Sequence, residues 1–193
     1  MCLRILLAFL VSWRIAIATE PQKNIVQGSG MTAIANSKHE LLSPNNAAQT
    51  MQVPEGFQVT LFAGEPDVTQ PIGLCIDDRG RIWVAENQSY PKHTSKPAND
   101  RIIILEDTNG DGQHDKRTVF FDKLNYVSGV EVGFGGVWVM SPPYFYFIPD
   151  RDGNLVPDGE PEVMLDGFNV AKSNYHNFAN GLRWGPDGWL YGR

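Results

Sequence analysis

Residues 176–192 read His-Asn-Phe-Ala-Asn-Gly-Leu-Arg-Trp-Gly-Pro-Asp-Gly-Trp-Leu-Tyr-Gly, and this stretch decides the fold. Leu182 and Trp184 alternate with polar or turn-forming neighbours, the period of a half-buried strand. Gly185-Pro186-Asp187-Gly188 is a turn: proline fixes φ, aspartate bonds its own backbone, and glycine admits positive φ. Trp189-Leu190-Tyr191 then restarts the strand with residues that favour a pleated surface.

The same phrase occurs twice upstream. Gly73-Leu-Cys-Ile-Asp-Asp-Arg-Gly-Arg-Ile-Trp-Val84 is one copy, and Gly129-Val-Glu-Val-Gly-Phe-Gly-Gly-Val-Trp-Val139 is the other. Trp83, Trp138 and Tyr191 take equivalent places about 55 residues apart, room for a four-stranded sheet and its loops. Short strands and glycine turns at this period predict an all-β chain folded as a β-propeller, one copy per blade. The first blade is expected to have strands near 73–76, 81–85, 101–105 and 117–121, and the second near 129–132, 137–140, 144–148 and 162–165. A third begins at Asn180. The chain thus reads as the N-terminal part of a longer propeller, about two and a half blades.

Upstream of the repeats the chain changes character. Residues 1–18 have Arg4, an apolar run from Ile5 to Trp13 too short to span a bilayer, and Ala16-Ile17-Ala18, a small-x-small cleavage site. They read as a secretory signal, with an uncleaved anchor as the alternative, which places the protein outside the cytoplasm. Residues 19–41 are polar and without period, a flexible linker. The propeller-like domain is assigned to 42–193. Ser43 as N-cap and Pro44 at the first helical position predict a short helix to about Met51. Phe57, Val59 and Leu61 alternate with Gln58 and Thr60, predicting a half-buried strand.

Composition narrows the function. The 193 residues are 42% hydrophobic, enough for a core, and the net charge of −6 argues against a nucleic-acid surface. Cys2 lies in the signal, so the mature chain keeps one thiol, Cys75, whose strand setting among apolar neighbours reads as core.

Two motifs could carry chemistry. Asp107, Asn109, Asp111 and Asp115 put oxygens at positions 1, 3, 5 and 9 of a tight loop, with Gly112 at position 6 and the Gln113 carbonyl at position 7. That is the oxygen spacing of a calcium loop. Thr118 stands where a bidentate glutamate would complete an EF-hand, and strands flank the loop, so a plain Asp/Asn/Gly hairpin turn stands as an equal reading. Asp150, Asp152, Asn154 and Asp158 echo the spacing with Leu155 in place of the glycine, and there the plain turn is preferred. His176, just before the third blade, is the candidate general base, because a neutral imidazole can take a proton from a substrate hydroxyl. A merely exposed loop histidine is the alternative. His39, His93 and His114 are assigned no chemistry. The long polar connection from Glu86 to Asp100, with Glu86, Asn87 and Tyr90 at its root, is of a length usually reserved for function.

The combination of His176 with Asn180-Gly-Leu-Arg-Trp-Gly-Pro-Asp-Gly-Trp-Leu-Tyr-Gly192, of Pro54-Glu-Gly-Phe57, and of Val84-Ala-Glu86 with Tyr90-Pro91 resembles the membrane-bound dehydrogenase domain of large secreted bacterial proteins. More distantly it is similar to the soluble quinoprotein glucose/sorbosone dehydrogenases. The resemblance covers about 42–193 and implies a six-bladed propeller that oxidises a sugar or another alcohol. It further implies pyrroloquinoline quinone and calcium as cofactors, His176 as catalytic base, a cytochrome c module elsewhere in the full-length protein, and a secreted or periplasmic, membrane-associated location. A non-catalytic propeller binding glycans or proteins, and a calcium-dependent lactonase, are the competing expectations.

Overall fold

The computed structural model describes residues 42–91, 99–170 and 178–193. The expected signal and linker, and His39, His93 and His176, lie outside the described residues.

The first element is helix α1, Pro44–Thr50. Ser43 caps it, its Oγ accepting from Asn46 N–H at 3.3 Å, and Pro44 occupies the first turn, where a missing N–H costs nothing. Met51 turns to an extended conformation and ends it. The strand expected at 57–61 does not form. Those residues are hydrogen-bonded to no neighbouring strand, and Phe57 is left exposed. Alternation alone makes no strand without a partner edge to satisfy its backbone. The apolar anchors of this segment come later, at Phe62, Ala63 and Val68.

Among the described residues ten strands follow in three antiparallel sheets, none closed. The first sheet has order β1 (Pro71–Ile76), β2 (Ile82–Glu86), β3 (Asp100–Glu106), β4 (Lys116–Leu124). The second repeats that order with β5 (Gly129–Val132), β6 (Gly136–Ser141), β7 (Tyr144–Pro149) and β8 (Glu162–Leu165). The third pairs β9 (Arg183–Trp184) with β10 (Leu190–Tyr191) across the Gly185–Gly188 turn, where Gly188 N–H reaches Gly185 O at 3.0 Å.

Cross-strand register aligns the three copies. Cys75 faces Trp83, Glu131 faces Trp138, and Arg183 faces Tyr191. β1 and β5 lie side by side without ladder bonds: a Cβ on Gly73 would come 3.6 Å from the Gly129 Cα. The core follows from strand alternation. Cys75, Trp83, Ala85, Ile102 and Ile104 of the first sheet meet Val130, Val137, Val139 and Ile148 of the second. On its other face, Ile82, Val84, Ile103 and Leu105 are covered by Phe62, Ala63 and Val68. Both faces of β2 are therefore dry, in keeping with its unbroken apolar run from Ile82 to Ala85 rather than an alternating one. Each such large side chain contributes about 1.5–3 kcal/mol by leaving water. His114 secures the covering segment, its Nδ1 lying 2.8 Å from Phe62 O, and Arg117 Nε donates to Asp67 O at 2.7 Å.

Leu182 joins Met140 and Phe145 in a third cluster, docking β9 on the second sheet. Trp184 completes that joint by donating its indole N–H to Val132 O at 2.8 Å. Gly133 makes room for it: its φ is 151°, and a Cβ there would sit 2.9 Å from Trp184 Nε1. Among the described residues no helix is long and apolar enough to cross a membrane.

Candidate functional site

The β2–β3 and β6–β7 ends of the sheets gather a dry polar network. Glu86, Asn87, Asp100, Ser128 and Ser141 are all buried there. Buried charges persist only when paired and hydrogen-bonded. Glu86 Oε1 accepts from Thr69 N–H at 2.7 Å, while its Oε2 receives Arg101 Nε and faces Arg117 at 3.6 Å. Asp100 accepts three bonds: Ser89 N–H at 2.7 Å, Ser89 Oγ–H at 2.8 Å and Val127 N–H at 2.9 Å. Asn87 donates Nδ2–H to Val127 O at 2.8 Å and accepts from Tyr90 N–H at 2.8 Å. Asn87 and Asp100 stand at the two roots of the long connection, and both grip Val127, which opens the second repeat. The network ties the loop's roots to the inter-sheet joint.

The flank of His176 reaches the same place. Ser128 Oγ–H donates to Ala179 O at 2.6 Å, and the Phe178 ring meets Tyr126 edge-on at 4.5 Å. Tyr126 in turn lies 6.5 Å from Tyr90. Phe178 and Ala179 are thus anchored beside the roots of the 86–100 connection. Sequence reasoning marked Glu86, Asn87 and Tyr90 but missed Asp100, Ser89 and Ser128. Small polar residues at strand ends look like ordinary turn chemistry until their partners, far away in sequence, are known.

The proposed calcium loop is a self-capped turn in this geometry. Asp107 accepts from the N–H groups of Gly110 at 2.7 Å, Asp111 at 3.2 Å and Gly112 at 2.8 Å. These bonds, Gly112's foremost, hold its carboxyl below the usual carboxylate range. Asn109 accepts from Asp111 N–H, Asp111 from Gln113 N–H, and Asp115 from Thr108 N–H and Oγ–H. The second turn repeats this: Asp150 accepts from Asn154 N–H at 3.0 Å and Leu155 N–H at 3.3 Å, and Asp158 from Arg151 N–H at 2.7 Å. Leu155 even keeps a positive φ of 70° where Gly112 has 87°. Among the described residues no group of three or more His, Cys, Asp or Glu side chains is arranged to hold a metal ion.

At the opposite end, a cleft of about 470 Å³ opens between β1 and β5. Asp77, Arg81, Glu131, Arg183 and Trp184 are among its walls. Burial pushes the Asp77 carboxyl up, but Trp83 Nε1–H at 2.9 Å and the Arg81 guanidinium at 2.6 Å outweigh it and hold the pKa down. Glu131 is the odd group. It is 6% exposed, its Oε1 accepts from its neighbour Val132 N–H at 3.3 Å, the Cys75 thiol bonds its carboxylate, and Oε2 receives no N–H or O–H bond. Burial raises its pKa against the pull of Val132 N–H and Arg183. Cys75, beside it in the equivalent strand position, is raised by burial and by the Glu131 charge, an inert thiol as the sequence predicts. The cleft lies at the end of the sheets away from the 86–100 connection, so the loop end is the better candidate site.

Fold and site together define an all-β protein of repeated four-stranded antiparallel sheets with its polar network at the loop end. Residues 43–193 match the domain of unknown function DUF7133, and the chain belongs to that family. No curated protein matches the chain, and no solved structure does.

Proposed function

We propose that this chain is part of a β-propeller and works as a quinoprotein-type dehydrogenase on a sugar or another alcohol, with its reaction at the loop end and His176 as general base. The fold reading is supported by two sheets of identical strand order, stacked through β1 and β5, and by β9 repeating the same docking on the second sheet. The observation that carries the site is the anchoring of Phe178 and Ala179 beside the Asn87–Asp100 network. It brings Phe178 and Ala179, which follow the His176 segment, and both roots of the 86–100 connection to one end. There His176 would accept the substrate's hydroxyl proton, a role suited to neutral imidazole near pH 7.

Pyrroloquinoline quinone is the hydride acceptor that the resemblance supplies, and its carboxylates need cationic partners. Arg101 and Arg117 reach this end but are held on Glu86, and Arg193, beside Asn180, donates its Nε–H to Asn180 Oδ1 at 3.3 Å. Two of the three are thus spent on a buried carboxylate and a carbonyl, and a single exposed guanidinium does not make a cradle for several carboxylates. Calcium in the Asp107–Asp115 loop, a secreted or periplasmic location and electron transfer to a cytochrome c module complete the proposal.

One observation favours a second reading, a non-catalytic module that binds glycans or proteins. Glu86, Asn87 and Asp100 all spend their hydrogen bonds inside the protein. Dye-linked oxidation of sugars and alcohols with added quinone decides between the two. The dehydrogenase reading expects turnover that falls ~10²–10⁴-fold in His176→Ala. Absence of turnover on every sugar and alcohol tried, together with saturable glycan binding, would establish the binding module instead.

A further inference from the structure

We propose that the cleft beside β5 binds a small organic cation, a primary ammonium carried on a ring or other apolar body, with the Glu131 carboxylate as its acceptor. The site is separate from the reaction proposed at the loop end and has no part in turnover there.

Glu131 stands on the middle one of three first strands. Its register equivalents are Cys75 on β1 and Arg183 on β9. A position that holds a small thiol in one repeat and an exposed cation in another is here a buried carboxylate. It lines the cleft of about 470 Å³, a size ordinary for a small-ligand site. Buried carboxylates persist when paired, yet Oε2 takes no hydrogen bond. The Cys75 thiol is a weak donor, and Arg183 draws on the group through its charge without bonding that oxygen. Burial also raises the Glu131 pKa, as it does for a carboxylate that awaits a counter-ion.

The walls select the charge of the occupant. Asp77 spends its oxygens on Arg79 N–H, Arg81 N–H and Nε, and Trp83 Nε1–H, and Asp150 spends its own on Asn154 and Leu155 N–H. Their charges remain. Asp77, Asp78, Glu131 and Asp150 outnumber Arg81 and Arg183 four to two, so the cleft repels anions and attracts cations. The described carboxylates are not arranged in a group that could hold a metal ion. The cation therefore brings its own donors, as an ammonium does. Trp184 supplies a surface for its body: the indole is half-buried, fixed on Val132 O, and tilted against Phe134 at 4.6 Å. The space belongs to the sheets already described, walled by the ends of β1, β5 and β9. A further sheet docked on the third, as the third docks on the second, would lie outside it.

Isothermal titration at neutral pH with three probes tests this: benzylamine, benzyl alcohol, which lacks the charge, and benzyltrimethylammonium, which keeps the charge but has no N–H. Benzylamine should bind saturably, and each of the other two about tenfold more weakly, because only the first offers Oε2 a charged donor. Glu131→Gln keeps the shape of the side chain and should weaken benzylamine about tenfold. Arg183→Ala should do the opposite. Arg183 is exposed, so its loss spares the core, and it removes the cation that competes for Glu131. Benzylamine should then bind about two- to fivefold more tightly, a gain that damage to the fold would not produce. No saturable binding of benzylamine to the wild type up to ~10 mM overturns the proposal. So does benzyl alcohol or benzyltrimethylammonium binding as tightly as benzylamine, unchanged affinity in Glu131→Gln, or unchanged or weaker affinity in Arg183→Ala.

Discussion

Replacing Asp100 by alanine should loosen the loop end more than any other single change there. The side chain is fully buried and accepts from Ser89 N–H, Ser89 Oγ–H and Val127 N–H, all within 2.9 Å. Truncation leaves donors from both sides of the joint without an acceptor, away from water. Each orphaned buried donor costs about 1–3 kcal/mol. The Ser89 hydroxyl can rotate to Asn87 Oδ1, 3.1 Å away, and so recover part of its loss. The two backbone donors cannot, so the expected destabilisation is about 3–5 kcal/mol, a large share of the ~5–15 kcal/mol that holds a domain together. Asp100→Asn keeps one carbonyl oxygen but turns an NH₂ toward one donor, and about 1–3 kcal/mol should follow. Urea unfolding followed by tryptophan fluorescence reads both, as shifts in midpoint at constant slope. An alanine variant within 1 kcal/mol of the wild type would refute the claim that this carboxylate ties the connection to the joint.

Other consequences are open to direct measurement. Glu131 has its pKa raised by burial above its ordinary 4.5, so the folded state favours the protonated form. Stability should fall as pH rises through the raised value, and Glu131→Gln should flatten that slope in melting curves from pH 4 to 8; parallel slopes would contradict it. The Cys75 thiol should resist Ellman's reagent in the native protein and react once urea unfolds it, whereas rapid native reaction would show that the joint between the first two sheets opens. Calorimetric calcium titrations of wild type and Asp111→Ala should differ if the Asp107–Asp115 oxygens bind the ion; identical titrations would leave the self-capped turn as the sole reading.

The regular part of the fold was legible because it is written locally. Ser43-Pro44 specified the start of α1, and the strands of both sheets lie within a few residues of the positions set by Trp83, Trp138 and their neighbours. Phe57 to Leu61 shows the limit: the alternation is present, but strand formation depends on an edge that local sequence does not describe. Leu155 shows another. Leucine at the glycine position argues against a left-handed residue, yet the turn keeps φ at 70°, held by Asp150 and by packing of the leucine on the core. The polar network was half legible. The length of the 86–100 connection marked it, but the partners of Asp100 and Ser128 lie 27 and 51 residues away and become visible only after folding. Glu131 within Gly-Val-Glu-Val was a charge in an apolar strand, a signal that could have located the cleft.

The central claim is that function resides at the loop end rather than in the cleft at the opposite end. Turnover in the dye-linked assay, compared for Asn87→Ala at the loop end and Asp78→Ala in the cleft wall, tests it most directly, each read at a temperature where the variant remains folded. The account predicts a loss of about tenfold or more for Asn87→Ala, through displacement of the groups it positions, and wild-type turnover for Asp78→Ala. A loss in Asp78→Ala with Asn87→Ala unchanged would contradict it.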